Sequence, residues 1–377
     1  MAAPCRLRER LPPPRHPDDG LPKSETTSPS DHRVCLRHPD YPKNVSTLLI
    51  LAALDPHKNE NSSQIRYGLH HETARIACAI VANCRWDGFL SESSRPDATP
   101  LALDPDDPLF GRDYYFHVPA RDGDAGPYPT VPSFKHFTFP HNNLPPTWKA
   151  PELTLPSCPR DTIHARDESC RITASVLGNE IAHLVPQKED AWFDANQMAL
   201  YAVRAEALTN ATNDTNNALL LRSDLHQAFD NRQFVFVPKW RAWAIHVLSG
   251  LPGEELAAVY HNVPPQALSG LAVEYLFARF AWTVLGQMMF VRTGVARRLV
   301  LLDEDGRSHT SDVSGKDCRE DFLARGKSRS QSRSHSPKKR TLDDLVEDEW
   351  RDLSDSSDGN MDDSDWDTRG RPRKRML

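Results

Sequence analysis

The segment 223–237, SDLHQAFDNRQFVFV, changes its hydrophobic period halfway along. Its first half has the spacing of a short helix, which places His226 and Asp230 on one face because they stand four residues apart. Its second half alternates apolar residues, as a strand does. A chain that passes from helix to strand within so few residues can build only short elements here. We therefore expect helices and strands to be mixed along the sequence.

The neighbouring segments predict more short elements. CRITASVLGNEIAHLVP, 170–186, predicts a hairpin of two strands around Gly178 and Asn179, residues that can supply positive φ angles. QFVFV and WRAWAIHVL predict a second hairpin, around Pro238 and Lys239. The segment LLLRSDLHQAFD is predicted to be helical in part. An apolar helix is predicted within 270–291, where charged residues interrupt the run too often for a membrane span.

The region 31–150 alternates apolar segments with proline-rich turns. VSTLLILAAL, 45–54, fits either a strand or a short helix, whereas ETARIACAIVANC, 72–84, predicts a helix. DYYFHVP, 113–119, predicts a strand. We expect this region to pack against a core formed by residues 151–300.

Both ends of the chain have a different composition. Residues 1–30 are rich in proline, serine and charge, and 305–377 contain a Ser/Arg run, an acidic segment and a terminal basic cluster. Such tracts bury too little apolar surface to fold alone, so both ends are predicted to be disordered. The predicted class is α+β, with a folded middle between two disordered tails.

The seven cysteines are scattered and include no CxxC pair. This pattern argues against a disulfide framework or a zinc ribbon and favours a reducing compartment. The N-terminus has no apolar core of a signal peptide, and the apolar run at 45–54 is too short to cross a bilayer. We expect an intracellular protein, nuclear or cytoplasmic, with no membrane association.

Three polar residues mark the middle of the chain. His183 ends a predicted strand, Asn217 lies in a loop and His226 lies on the short helix. The segments CRITA, AHLVP and NALLLRSDLHQAFD resemble the HNH endonuclease motif, in the form CxxTG…AHxxP…NxLLL…LHxxFD. That form occurs in restriction-type nucleases and in a group of uncharacterised fungal proteins, which segments flanking the motif also resemble. The resemblance to the nuclease motif covers roughly 168–240 and implies a ββα-metal element within a mixed α/β core.

The resemblance implies metal-dependent hydrolysis of nucleic-acid phosphodiester bonds. His183 would be the general base that activates water, and Asn217 would orient it and brace the loop. His226 would bind one divalent cation, with Mg²⁺ expected first and Mn²⁺ or Zn²⁺ as alternatives. Asp230, one turn later, is either a second ligand or a residue that caps the following turn.

The sequence departs from the family pattern at two positions. Many HNH sequences have an Asp or His metal ligand directly before the base, where this chain has Ala182. Glu180 shares strand parity with Ala182 and is the candidate substitute ligand, although a surface role fits it as well. The glycine that usually follows CxxT is Ala174 here, which leaves the conformation of that turn open.

The expected partner is nucleic acid, DNA rather than RNA. Arg222 and Arg232 flank the short helix and could contact phosphates, although a solvated face explains them equally well. The basic clusters PKKR, 337–340, and RPRKR, 371–375, suit nucleic-acid binding or nuclear localisation, and a solvated tail is the alternative.

Two other functions stay open at this point. The HNH element could be catalytically degenerate and serve as a nucleic-acid or protein-binding module with a regulatory nuclear role. A third protein ligand beside His183, such as Glu180, would favour the enzyme. An RNA-processing factor with a Ser/Arg tail is a weaker alternative, because no RNP-type aromatic motif is present.

Overall fold

The computed structural model describes residues 32–58, 65–121, 126–158, 162–203, 211–303 and 305–318. The helices are α1 (His71–Val81), α2 (Ile163–Asp167), α3 (Asp190–Ala195), α4 (Ser223–Asp230), α5 (Glu255–Tyr260) and α6 (Val273–Gly286). The strands are β1 (Arg33–Arg37), β2 (Thr47–Ala52), β3 (Asp55–Lys58), β4 (Ile65–His70), β5 (Phe89–Ser91), β6 (Pro108–Leu109), β7 (Asp113–His117), β8 (Asn179–His183), β9 (Ala218–Arg222), β10 (Phe234–Lys239), β11 (Ala242–Val247), β12 (Arg297–Leu302) and β13 (Ser308–Val313). Helices and strands are mixed along the chain, as predicted.

The strands form several small sheets. The largest has the order β2-β1-β7-β5 and contains a parallel pair, β1 with β7. A three-stranded sheet has the order β3-β4-β6, and the pairs β8-β9, β10-β11 and β12-β13 are separate antiparallel sheets. With sheets this small, the core must be completed by helices packed between them.

Helix α6 lies at the centre of the described structure. Its side chains from Tyr275 to Leu285 are buried, and it contacts both α1 and β10. One continuous hydrophobic cluster joins residues of β1, β2 and α1 to residues of β8, β9 and β10. The N-terminal region and the segment that carries the predicted motif therefore share one core. None of the described helices is long and apolar enough to cross a membrane.

Several predicted elements are present. The predicted helix at 72–84 is α1, the strand at 113–119 is β7, the apolar helix is α6, and 45–54 contains a strand, β2. The second predicted hairpin is β10 and β11, but its turn lies at Trp240 and Arg241, whose φ angles are 48° and 60°. Such a turn needs positive φ at both central residues, which the ring of Pro238 forbids.

The first predicted hairpin was wrong. Residues 170–175 form a tight turn, in which Ala174 N donates to Cys170 O and Ala174 itself has a φ of 58°. Ala174 thus adopts the left-handed conformation that a glycine takes more easily. Strand β8 pairs instead with β9, so Glu180 lies opposite Leu221 and His183 opposite Ala218.

The sequence did not indicate β9 as the partner of β8, because the residues of β9 were predicted to be part of a helix. LLLR is strand β9, and only the residues from Ser223 onward are helical. On its other edge β9 is held by Asp167 and Arg171, because Leu220 N donates to Asp167 Oδ2 and Arg171 N donates to Leu220 O. The polar backbone of this buried strand is thus paired on both sides.

The start of the predicted C-terminal tail was placed too early. Strand β13 lies beyond residue 305 and pairs with β12 through the whole of Ser308–Val313. Its sequence, SHTSDV, is largely exposed and has no apolar alternation, so it carried no strand signal. The rest of the predicted tail, 319–377, and the predicted N-terminal tail, 1–30, lie outside the described residues.

Candidate functional site

Strands β8 and β9 and helix α4 form the ββα arrangement that carries the predicted residues. The chain passes from β9 into α4 without a loop, and α4 packs on both strands. Leu225, Ala228 and Phe229 are the buried residues of α4. Their burial turns His226 and Asp230 to the edge of the helix, where they face the end of the sheet.

The imidazole of His226 lies between two carboxylates. Its Nδ1 is 2.8 Å from Glu180 Oε2, and its Nε2 is 3.4 Å from Asp230 Oδ2. The side chains of Glu180 and Asp230 are more than half exposed, whereas that of His226 is 21% exposed. The three residues predicted as metal ligands are therefore neighbours, but the two carboxylates lie on opposite ring nitrogens.

His183 lies at the end of β8, half-buried. Its Nε2 is 3.5 Å from Nε2 of Gln187, which donates to Asn213 Oδ1 at 2.5 Å. Burial lowers the pKa of His183 below its usual value, and the neighbouring His226 lowers it further. Asp230 and a hydrogen bond with Asn213 act on this pKa in the opposite direction. A lowered pKa keeps the imidazole neutral near pH 7, the form that can accept a proton.

Asn217 is wholly buried and its side chain is fully used inside the protein. Its Oδ1 accepts from Val185 N at 2.9 Å, and its Nδ2 donates to Val185 O at 3.0 Å and to Thr212 O at 2.8 Å. These bonds fasten the segment after His183 to the loop before β9. The geometry is that of a brace between the segment that follows the histidine and the loop before β9.

The two predicted phosphate contacts differ in their surroundings. The Arg222 guanidinium is bonded to Asp224, at 2.6 and 2.7 Å, and to the Tyr260 hydroxyl. Its charge is therefore largely balanced by a local carboxylate. Arg232 follows the C-terminal end of α4, and its guanidinium carbon lies 3.9 Å from the centroid of the Trp282 ring.

The sequence reasoning missed Arg279, a buried cation next to the site. It donates to Phe229 O, and its Nη1 is 3.4 Å from His183 O. Its Nη2 is 3.9 Å from Asp230 Oδ1, and burial lowers its pKa to about 9. The sequence contained one indication of this residue, a lone arginine in the apolar run of α6. Because that run was predicted to be a packing helix, Arg279 was given no functional role.

A second group of ligand-type atoms was also missed. Asp55, His246 and His261 each offer an atom within 4.8 Å of the others. The ammonium of Lys239, however, donates to Asp55 Oδ1 at 2.5 Å. Val247 N donates to His261 Nδ1, so a neutral ring carries its proton on the Nε2 that faces Asp55. This group already contains a cation, and it suits a divalent metal less well than the pair on α4.

Residues 165–237 match the family model described as HNH endonuclease. The matched range includes β8, β9 and α4, and with them His183, Asn217 and His226. The chain therefore carries an HNH endonuclease domain, which indicates a nuclease-like function connected with nucleic acids. No curated protein and no solved structure matches the chain.

HNH domains generally bind a divalent metal, and the residues of this site fit one. His226 Nε2 and Asp230 Oδ2 are 3.4 Å apart. Two ligand atoms that each lie roughly 2.1 Å from one cation are separated by about the distance found between these two atoms. One imidazole and one exposed carboxylate, open to solvent on the remaining sides, form a donor set that Mg²⁺, Mn²⁺ or Zn²⁺ accepts.

Proposed function

We propose that this protein is a metal-dependent endonuclease that hydrolyses phosphodiester bonds of nucleic acids, DNA rather than RNA. The observation that carries the proposal is the position of His183, half-buried with a lowered pKa, beside the His226–Asp230 pair in the matched domain. A neutral base next to a cation site is what the attack of water on a phosphodiester requires.

His183 takes the proton from the attacking water. Because burial favours the neutral imidazole, the base is ready at neutral pH. Gln187 and Asn213 restrict the His183 ring on one side. Asn217 fixes the backbone that follows His183. A base held in this way keeps its orientation toward the water.

His226 and Asp230 would hold the divalent cation, which when bound stabilises negative charge on the phosphate and on the departing oxygen. Glu180 accepts a hydrogen bond from His226 Nδ1 and so directs Nε2 toward Asp230. In this proposal His226 is the metal ligand and Glu180 orients its ring. The alternative is that Glu180 is itself a metal ligand. Either role supplies a carboxylate to a site that has Ala182 before the base.

The test is a cleavage assay on the full-length protein with supercoiled plasmid and single-stranded DNA and RNA. Cleavage is expected with Mg²⁺ or Mn²⁺ and is expected to be lost in EDTA. His183→Ala should reduce the rate by about 10² to 10⁴, the usual contribution of a general base. Metal binding and nucleic-acid binding without cleavage would instead establish the catalytically degenerate binding module.

We also propose a nuclear or cytoplasmic location, on the strength of the basic clusters at 337–340 and 371–375. The test is the distribution of a fluorescent fusion in cells, with and without replacement of both clusters by neutral residues. A nuclear signal that spreads to the cytoplasm after replacement supports a nuclear role for the clusters.

A further inference from the structure

Arg279 lies on α6, outside the matched domain, and contacts both halves of the candidate site. Its Nη1 lies 3.4 Å from His183 O, at the end of β8. Its Nη2 donates to Phe229 O and lies 3.9 Å from Oδ1 of Asp230, at the end of α4. One guanidinium therefore joins the strand that carries the proposed base to the helix that carries the proposed metal ligands.

The two oxygens of the Asp230 carboxylate face different partners. Oδ1 faces Nη2 of Arg279, and Oδ2 lies 3.4 Å from Nε2 of His226. The side chain of Asp230 is 58% exposed, so packing alone does not hold its carboxylate in one rotation. The positive charge of Arg279 favours the rotation that turns one oxygen toward the guanidinium and leaves the other beside His226. In that rotation the two ligand atoms can share a cation.

Aromatic rings hold the guanidinium of Arg279 in place. Its central carbon lies 3.6 Å from the centroid of the Phe229 ring and 4.5 Å from that of the Trp282 ring. Arg279 is 1% exposed, within a buried stretch of α6. A planar guanidinium stacks on aromatic rings and presents its donors in a fixed fork. Arg279 can therefore impose a separation on the groups that it contacts, which a flexible surface arginine cannot.

Burial alone does not assign a role to Arg279, because other arginines are buried too. Arg297 on β12 is also 1% exposed, and its guanidinium carbon lies 3.6 Å from the centroid of the Phe290 ring. It donates to Phe290 O and Val45 O, outside the matched domain. Arg297 thus has the burial and the aromatic contact of Arg279, but it joins other parts of the fold. What distinguishes Arg279 is the pair of groups that it joins.

We propose that Arg279 is a positioning residue for phosphodiester hydrolysis, which fixes the base His183 relative to the metal ligand Asp230. This inference rests on the proposed function and adds to it a residue outside the matched domain. A base and a cation that act on one phosphodiester must keep a fixed separation, since a misplacement of about 1 Å can cost about 10²-fold in rate. Because β8 and α4 are separate elements, a link between their ends maintains that separation.

The first test measures cleavage of supercoiled plasmid by the full-length protein at saturating Mn²⁺. Arg279→Met replaces the guanidinium with an apolar side chain. We expect kcat, referred to the folded fraction, to fall about 10²-fold, with KM for the plasmid unchanged. The Kd for Mn²⁺, measured by isothermal titration, should change by less than about tenfold. Loss of the orientation of Asp230 weakens metal binding, whereas loss of a neighbouring positive charge strengthens it.

Two further variants separate the bridge from charge and from burial. Arg279→Lys keeps a positive charge, but one ammonium cannot replace the fork of the guanidinium, so kcat should recover only in part. Complete recovery would overturn the bridge, and Arg279→Lys alone carries the test if Arg279→Met does not fold. Arg297→Met is the matched control and should lower stability without changing kcat of the folded fraction. An equal loss of kcat in this control would also overturn the inference.

A second readout needs no cleavage. Co²⁺ is bound in place of Mn²⁺, because its visible absorption bands depend on the ligands and their geometry. If Arg279 orients Asp230, Arg279→Met should shift these bands. Arg297→Met should leave them at the wild-type positions. Unshifted bands in Arg279→Met would overturn the inference.

The outcomes distinguish this inference from the proposed function. Wild-type protein that cleaves DNA, with kcat unchanged in Arg279→Met and Arg279→Lys, would overturn the positioning role and leave the nuclease intact. Wild-type protein that binds Co²⁺ and cleaves no nucleic acid, with bands that shift in Arg279→Met, would support the positioning of Asp230 and overturn the nuclease. Wild-type protein that neither cleaves nor binds Mn²⁺ or Co²⁺ would overturn both.

Discussion

At the scale of single residues, the two ring nitrogens of His226 have different neighbours. Glu180 lies on Nδ1 and Asp230 on Nε2, at 2.8 and 3.4 Å. A histidine that binds a metal through one nitrogen is commonly oriented by a hydrogen bond on the other, which also raises its basicity. In the proposed site, Glu180 would therefore act on a bound cation through His226.

Glu180→Ala tests this arrangement. We expect the affinity for Mn²⁺ to fall about 10- to 100-fold, with cleavage at saturating Mn²⁺ largely retained. Glu180→Gln should have a smaller effect, because an amide oxygen can still accept from Nδ1. Isothermal titration with Mn²⁺ measures the affinity, with the exposed Glu92→Ala as control. Unchanged affinity in Glu180→Ala would remove Glu180 from the site.

At the scale of secondary-structure elements, Asn217 joins the end of β8 to the start of β9. Its side chain makes three hydrogen bonds to buried backbone groups of Val185 and Thr212. Each buried group left unpaired costs about 1–3 kcal/mol. The segment that follows His183 therefore depends on one amide.

Asn217→Ala should lower the free energy of unfolding by about 3 kcal/mol or more, because it leaves these groups unpaired. The neighbouring Asn216→Ala is the matched control, since its side chain donates only to Tyr201 O, at 3.3 Å, among the contacts described. Its cost should stay within about 1 kcal/mol. Urea unfolding measures both. Equal losses in the two variants would contradict the role of Asn217 as a brace.

At the scale of the whole molecule, a buried ion pair joins the N-terminal region to the β10–β11 hairpin. Lys239 on β10 and Asp55 on β3 are both buried, with 2.5 Å between Nζ and Oδ1, and Lys239 also donates to Asn262 Oδ1. Burial alone would raise the pKa of Asp55, but Lys239, His261 and His246 together outweigh that effect and hold this pKa well below its usual value. Removing one partner of such a pair leaves the other charge buried and uncompensated.

Lys239→Met should therefore destabilise the protein by about 3–5 kcal/mol. The double variant Lys239→Met/Asp55→Asn should recover part of that loss, since no isolated charge remains. Unfolding free energies of the two single variants and the double variant form the required cycle. Strictly additive losses would contradict a direct coupling between the two side chains.

The whole fold also contains buried neutral histidines. His38 accepts from Asp40 N, bonds Tyr128 O at 3.1 Å and stacks on the Tyr128 ring. Burial lowers the pKa of His38 to about 3, and it lowers the pKa of His246 well below the usual range. In the unfolded chain both histidines titrate near about 6.5. The unfolded state thus binds more protons below that pH, and the fold loses stability as the pH falls.

We expect each of these histidines to contribute fully to the free energy of unfolding above about pH 6.5. That contribution should fall by about 1 kcal/mol between pH 6.5 and 5.5. Urea unfolding at a series of pH values measures the slope. His38→Phe should be less stable overall, because it loses two hydrogen bonds, but its stability should depend less steeply on pH. If the stability of His38→Phe depends on pH as steeply as that of the wild type, His38 is excluded as a source of the pH dependence.

The local sequence determined much of the site. The helical spacing of His226 and Asp230 and the apolar face of α4 follow from residues close together in the chain. The order of His183, Asn217 and His226 was found through the resemblance to the HNH motif. Elements with a strong period, such as α1 and α6, were predicted for the same reason. Local periodicity is set by which face of a single element is buried, and a short window of sequence is enough to show it.

Only the tertiary structure decided which segments meet. The pairing of β8 with β9 brings Glu180 onto His226, 46 residues away, and α6 brings Arg279 to His183, 96 residues away. The sequence suggested a partner for β8 in the residues just before it, because a glycine–asparagine turn is a local signal. Which strand is paired, and which distant cation reaches the site, depends on burying the whole apolar surface at once, and no local pattern records that choice.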